Sequence, residues 1–250
     1  MDTQLHVLLI GDSCTDVYVY GNCDRLSPEA PVPVLRETRS EQKAGMATNV
    51  KHNLEALGCI VDYITHEEAI TKTRFIDARS KNQLLRVDND VKVNPWQFDY
   101  SIDYNKYDAV VISDYNKGFL TYDNIDDVIS SFDGPVFIDT KKTDLVRFEK
   151  AYVKINELEY SRRTSDCNNL IVTLGSRGAS WIKLGELYPT SAIEVIDVCG
   201  AGDTFLSALA YHQTLNGNIG DAIDFANQAA AITVGHFGVY APSLKEIVPN

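Results

Sequence analysis

Six short runs dominated by apolar residues recur along the chain, at 6–11, 59–65, 108–113, 135–139, 152–155 and 170–174. Most are continuous rather than alternating, the pattern of strands covered on both faces, as in a parallel sheet. Helical patterns fall between and after them, at 47–57, 124–132, 203–215 and 219–235. The third carries apolar residues at Phe205, Leu206, Leu209, Ala210 and Leu215, the spacing of one helix face. This alternation predicts an α/β fold with a doubly wound, mostly parallel sheet. Ligands are then expected at the C-terminal ends of the strands.

Two segments depart from that rhythm. Residues 31–38 alternate like a strand, but Pro31 and Pro33 bar them from a sheet centre. Residues 71–76 and 83–87 form a strand pair around Ser80-Lys81-Asn82. Together these predict a small antiparallel β flap, or lid, built from about 17–40 and 71–90. The apolar face of such a flap must be covered, by ligand or by a second subunit.

The charge balance limits the partners. With 23 basic and 35 acidic residues the net charge is −12, which argues against a nucleic-acid binder. It leaves room for a nucleotide or sugar phosphate, which needs only a local group of cations and amides. The N-terminus shows no basic signal-peptide region and no apolar run approaches membrane-spanning length, so a cytoplasmic protein without membrane contact is expected. Cys14, Cys23, Cys59, Cys167 and Cys199 form no CxxC pair and read as reduced thiols. Cys199 reads either as a reactive thiol or as a small buried filler.

The motif with the most chemical content follows the apolar stretch 192–196: Asp197-Val198-Cys199-Gly200-Ala201-Gly202-Asp203-Thr204, running into the third helix. A Gly-x-Gly turn opening a helix exposes backbone N–H groups at the positive end of the helix dipole, which is an anion site. Asp203 at its mouth reads either as an ordinary first-turn acid or as a carboxylate that takes a proton while the amides hold a phosphoryl group.

Other strand ends carry polar residues with two readings each. Asp12 and Asp16 follow the first run, as hydroxyl acceptors or, for Asp12, as a turn or cap residue. Gly45 and Asn49 bracket a loop-to-helix junction suited to close ligand approach, and Asn49 also suits a local hydrogen bond. Asp114 and Lys117 follow the third run and Lys141 and Lys142 the fourth, the lysines reading as anion binders or as solvated surface. Asn156 and Glu159 sit three apart, fit to hold Mg²⁺ through water, to cap a helix, or both. Thr173, Gly175 and Gly178 form a glycine turn suited to a nucleotide or simply to a strand reversal. There is no Walker A motif and no GxGxxG after the first strand.

In this order the motifs resemble the ribokinase (PfkB) family of carbohydrate kinases, and within it the heptose-7-phosphate kinase domains of bifunctional kinase/adenylyltransferases. The resemblance rests on Ile10-Gly11-Asp12 with Asp16, Ser27-Pro28-Glu29-Ala30-Pro31-Val32-Pro33-Val34, and Gly45 to Asn49. It continues through Thr71-Lys72-x-Arg74, Asn82-Gln83-x-Leu85-Arg86-x-Asp88, Ser113-Asp114-Tyr115-x-Lys117-Gly118 and Ile138-Asp139-x-Lys141. It ends with Asn156-x-x-Glu159, the Gly200-Ala201-Gly202-Asp203 turn and Phe225-Ala226-Asn227.

What the resemblance implies is one kinase domain over 1–250, using ATP, Mg²⁺ and a monovalent cation. Asp203 would be the general base, with the amides of Gly200, Ala201 and Gly202 as the anion hole. Asn156 and Glu159 would position Mg²⁺ and the phosphates. Thr173, Gly175, Gly178, Asn227 and Lys141 would serve the nucleotide. Asp12, Asp16, Gly45, Asn49, Arg86, Asp114 and Lys117 would serve the sugar, with Lys72 and Arg74 as further candidates for a sugar phosphate. The implied acceptor is D-glycero-D-manno-heptose 7-phosphate at its 1-position, and the lid would join a homodimer. A related kinase for another sugar, sugar phosphate or nucleoside, and a catalytically silent sugar- or nucleotide-binding protein, are the alternatives.

Three departures stand out. Met46 replaces a glycine of the sugar loop, which predicts crowding of the backbone there. Cys199 stands where threonine is usual, predicting a weakened hydroxyl or cation contact. The chain is also trimmed between Gly58 and Thr71 and between Glu159 and Leu170, and no adenylyltransferase half is expected within its 250 residues.

Overall fold

The apolar runs all become strands of one sheet, because a strand apolar on both faces is stable only between two covering layers. The computed structural model describes residues 4–191 and 194–248, so 192 and 193, in the apolar stretch before the glycine turn, lie outside the described residues. In chain order the elements begin with β1 (His6–Gly11), β2 (Ser13–Asn22), β3 (Arg36–Met46), α1 (Ala47–Ala56), β4 (Ile60–Ile64), β5 (Thr71–Asp77) and β6 (Gln83–Asn89). They continue with β7 (Ala109–Asp114), α2 (Tyr122–Ser131), β8 (Val136–Thr140), β9 (Tyr152–Asn156), α3 (Glu157–Arg162) and β10 (Asn169–Thr173). The last are β11 (Ala179–Trp181), β12 (Glu186–Tyr188), α4 (Ala201–Asn216), α5 (Ile219–Val234) and α6 (Leu244–Ile247).

The larger sheet has the order β12-β11-β10-β9-β8-β7-β1-β4. From β10 to β4 its strands run parallel, and β11 and β12 extend one edge antiparallel. The period-two geometry of a strand divides the core into two layers. Leu8 and Ile10 of β1 pack with Ile125, Val128 and Ile129 of α2. Val7 and Leu9 pack with Val50 of α1, Leu206 and Leu209 of α4, and Ile223 of α5. No helix among the described residues is long and apolar enough to cross a membrane.

The smaller sheet has the order β3-β2-β5-β6. Its outer seams are antiparallel as expected, and its central seam, β2 with β5, is parallel from Thr15↔Thr71 to Gly21↔Asp77. β3 starts at Arg36 rather than at Pro31, since the prolines offer no N–H to a ladder; only an isolated Leu26–Pro33 bridge forms there. Tyr18, Tyr20 and Ile76 make a buried cluster on one lid face, and the Tyr18 and Tyr20 rings each lie 6.2 Å from that of Phe237.

The lid grows directly out of the core. One residue, Asp12, separates β1 from β2, and β3 ends at Met46 where α1 begins at Ala47. Met46 takes φ 54°, ψ −133°, a region that favours glycine and costs other residues about 1–3 kcal/mol. Its side chain is 3% exposed, in the core layer with Ile10, Ile70 and Phe119. The bulk that Met46 adds at the sugar loop is thus taken into the core.

Candidate active site

The α4 N-terminus is built to receive an anion. Gly200 adopts φ 80°, and no side chain caps the helix. By contrast Thr121, Asn156 and Asn218 cap α2, α3 and α5. The first-turn N–H groups of a helix lack intrahelical partners, and at α4 no side chain takes their place. Ala201 opens the helix, its N–H 3.4 Å from the Val198 carbonyl. A Cβ on Gly200 would come within 2.8 Å of Asn49 Nδ2, and one on Gly202 within 2.9 Å of Lys154 Nζ. Only glycine lets both side chains approach the turn this closely.

Asp203 lies at this turn and is 5% exposed. Its Oδ2 accepts from Asn49 Nδ2 at 2.9 Å and its Oδ1 from the Tyr115 hydroxyl at 2.8 Å. Burial pushes its pKa up to about 6, against the hydrogen bonds from Asn49 and Tyr115; Asp139 adds to the rise and Lys154 opposes it. A held carboxylate titrating near neutrality has the properties of a general base.

In front of it is a cavity of about 170 Å³. It brings together Gly200, Gly202 and Asp203 with Lys141, Asn156, Glu159 and Asp114 from the ends of three strands, as expected at this edge of a parallel sheet. It also contains Tyr115, Asp139 and Lys154, which sequence reasoning did not single out as site residues. Lys154 is buried, with Nζ 2.7 Å from Asp139 Oδ2. Burial opposes its charge, yet Asp139, then Glu159 and Asp203, hold its pKa above the ordinary value. The available signal was a lysine inside an apolar run, where charge survives only with a partner or a task.

Asn156 and Glu159 form a reciprocal cap on α3. Asn156 N–H donates to Glu159 Oε2 at 2.8 Å, and Glu159 N–H to Asn156 Oδ1 at 2.9 Å. Burial raises the Glu159 pKa and Asp139 raises it further, so a cation nearby would be favoured. Among the described residues no group of three His, Cys, Asp or Glu side chains is arranged to hold a metal. One carboxylate with oxygen donors beside a phosphate-sized cavity fits a hydrated Mg²⁺ that also binds substrate phosphates.

On the lid, outside the cavity lining, Asp16 is 4% exposed and ion-paired to Arg74. Gly45 faces it, and a Cβ there would lie 2.3 Å from Asp16 Oδ2. Asp12 is fully buried and its Oδ2 accepts the N–H groups of Tyr115 at 2.8 Å and Lys117 at 3.3 Å, so it supports the floor rather than lining it. Asp114 bonds Thr140 at 2.6 Å and Lys142 at 3.0 Å. Lys142 is thus a buried partner, not a solvated lysine. Lys117 pairs with Asp90 at 2.6 Å. Arg86 is exposed on β6, bonded to Asp88 and outside the cavity.

Of the nucleotide candidates, Lys141 lines that cavity, and Thr173, Gly175, Gly178 and Asn227 lie outside it. Gly175 (φ 60°) and Gly178 (φ 91°) shape the turn between β10 and β11, and a Cβ on Gly178 would lie 2.1 Å from the Tyr188 carbonyl oxygen. Asn227 donates to that same oxygen at 2.9 Å. Thr173 lies at the end of β10, its hydroxyl 3.4 Å from the Ile155 carbonyl.

A mostly parallel α/β sheet covered on both faces, with a smaller β sheet beside it, is the fold of ribokinase-like kinases. Solved structures share it across nearly the whole chain. Ribokinase from Thermotoga maritima matches with TM-score 0.70 at 17% identity, covering 97% of this chain and 98% of that one. Ribokinase of Arabidopsis thaliana, complexed with ribose and ATP, matches with TM-score 0.73 at 16% identity, covering 98% of each chain. The model of the pfkB family carbohydrate kinases matches residues 155–246. Bifunctional protein HldE of a Nitratiruptor species is 33% identical over 96% of this chain and 64% of its own length. The protein of that name from a strain of Helicobacter pylori is 31% identical over 96% and 65%. Residues 155–246 are thus matched as a pfkB family carbohydrate kinase domain, within a fold that is ribokinase-like over nearly the whole chain. The chain spans just under two thirds of the length of these curated relatives.

Proposed function

We propose that the chain transfers the γ-phosphoryl group of ATP to a hydroxyl of a sugar phosphate, with D-glycero-D-manno-heptose 7-phosphate, at its 1-position, as the acceptor. The observation that carries this reading is Asp203, buried and titrating near neutrality at the mouth of an uncapped helix. Asp203 takes the proton of the acceptor hydroxyl, and Asp16 and Asn49 orient the sugar. The N–H groups at Gly200 to Asp203 and the Lys154 ammonium stabilise charge on the transferred group. Asn156 and Glu159 hold Mg²⁺ through water, where it neutralises phosphate charge. Thr173, Gly175, Gly178 and Asn227 flank the nucleotide.

Lys72, Lys117 and Lys141 converge from the lid and from two strand ends; all three hold the Asp90 carboxyl below its usual range, Lys117 most strongly. A phosphate on the acceptor fits this group, and the identity to HldE proteins points to a heptose. The lid also supports a homodimer: Leu85 and Val87 share one face of β6 and are 57% and 47% exposed.

The test is ATP turnover with heptose 7-phosphate against fructose phosphates, ribose and no acceptor. Turnover fastest with heptose 7-phosphate is expected. Faster turnover with another acceptor replaces the heptose assignment, and binding without turnover across the panel overturns the kinase reading.

A further inference from the structure

Tyr115 is fixed at both ends. Its N–H donates to the buried Asp12 carboxylate at 2.8 Å, and its hydroxyl donates to Asp203 Oδ1 at 2.8 Å. Two ammonium groups lie over its ring. Lys141, just beyond β8, places Nζ 4.7 Å from the ring centroid, and Lys72, on β5 of the lid, places Nζ at 5.6 Å. A cation over an aromatic face is attracted to its electron density. Drawing that density away makes a phenol O–H a stronger donor. Burial, then the Asp203 and Asp139 carboxylates, push the Tyr115 phenol well above its usual pKa, so it remains a donor through the neutral range.

The groups that face Asp203 come from five places: Cys14 on β2, Asn49 on α1, Tyr115 after β7, Asp139 on β8 and Lys154 on β9. Of these, Tyr115 joins a hydrogen bond on the carboxylate to a cation carried by the lid.

We propose that Tyr115 is a positioning residue that transmits the seating of the lid to Asp203, Lys72 over its ring strengthening the hydrogen bond on Oδ1. The inference rests on the reading of Asp203 as general base. With the lid seated, the carboxylate is held ionised and oriented for the acceptor hydroxyl. With Lys72 withdrawn, the Tyr115 bond weakens and Asp203 holds a proton more tightly. The base is then fully active only beneath a closed lid, which limits phosphoryl transfer to water.

The test reads Asp203 directly and needs no acceptor. Its carboxyl ¹³C resonance, assigned by its loss in Asp203→Asn, is titrated in the full chain. Tyr115→Phe keeps the ring and the backbone bond to Asp12. It is expected to raise the titration midpoint by about one pH unit, the size expected for one lost charge-assisted hydrogen bond. Lys72→Met is expected to raise the midpoint by a smaller amount in the otherwise native chain, and by nothing in the Tyr115→Phe background. An unmoved midpoint in Tyr115→Phe overturns the proposal, as does a Lys72→Met shift that persists undiminished in that background. Lys72→Met alone also decides the lid link should Tyr115→Phe fail to fold, because no shift there removes it. The general-base reading fails separately, through retained turnover in Asp203→Asn, whatever the titration shows.

Discussion

Asn49 Nδ2 stands 2.9 Å from Asp203 Oδ2 and ties the first turn of α1 to the first turn of α4. These two helices have no side-chain hydrogen bond at their N-caps, whereas α2, α3 and α5 do. Two positive helix ends therefore converge beside one carboxylate and the cavity before it. Despite them the Asp203 pKa is raised, so desolvation outweighs the dipoles and neighbouring donors. The site gives up folding stability to keep this acid basic.

That cost gives Asp203→Asn a dual phenotype. A group whose folded pKa lies above its unfolded value contributes stability that is full below the unfolded pKa and lost as pH rises through the folded one. For Asp203 the loss is complete above about 6. At pH 8 the asparagine variant is therefore expected to melt a few degrees higher, with a gain of about 1–3 kcal/mol. At pH 4 the gain should vanish. Turnover should fall at least ~100-fold, the lower range for loss of a general base, with nucleotide affinity nearly unchanged. The native kcat/KM should rise with pH through about 6. Calorimetric melts at the two pH values decide the stability claim; an identical difference at both would refute it.

Gly45→Ala addresses the sugar side. Its Cβ would meet Asp16 Oδ2 at 2.3 Å and Cys14 Sγ at 2.7 Å, so the Asp16–Arg74 pair must shift. Overpacking of this kind costs about 1–3 kcal/mol. The acceptor KM is expected to rise about tenfold or more, equivalent to ~1.4 kcal/mol of lost binding. ATP affinity by calorimetry should hold, and a parallel loss of both affinities would show that Gly45 is merely structural.

Lys154→Met separates support from function. Alone it leaves Asp139 without its buried partner, at a cost of about 3 kcal/mol. Pairing it with Asp139→Asn should recover most of that stability. Turnover and ATP affinity should stay low in the double variant, because the cation behind Gly202 is still missing. Recovery of ATP binding along with stability would mean that Lys154 serves only its neighbour.

The parallel strands are legible in the sequence because burial on both faces leaves continuous apolar runs. β2 is not, since Thr15 and Asp16 interrupt its pattern and its parallel seam is with β5, over fifty residues away. The glycine turn shows its chemistry locally. Tyr115 does not: it lies within a quoted motif, but its partner is 88 positions along the chain. Lys142 and Asp12 read as surface or turn residues until the packing buries them against Asp114 and the 115–117 backbone. Met46 breaks a glycine pattern, and only its backbone angles and core contacts show how the break is absorbed.

The junctions at Asp12 and Met46 also govern how such a chain can diverge. The β2–β3 half of the lid, joined to the core through one residue at one end and none at the other, cannot be exchanged as a cassette. A replacement would have to reproduce the buried carboxylate at one seam and the positive φ at the other. Freedom to vary lies at the far margin, where β6 is exposed along its whole length. Substitutions are therefore absorbed most readily along β6, while the inner seam stays bound to the buried groups beneath it.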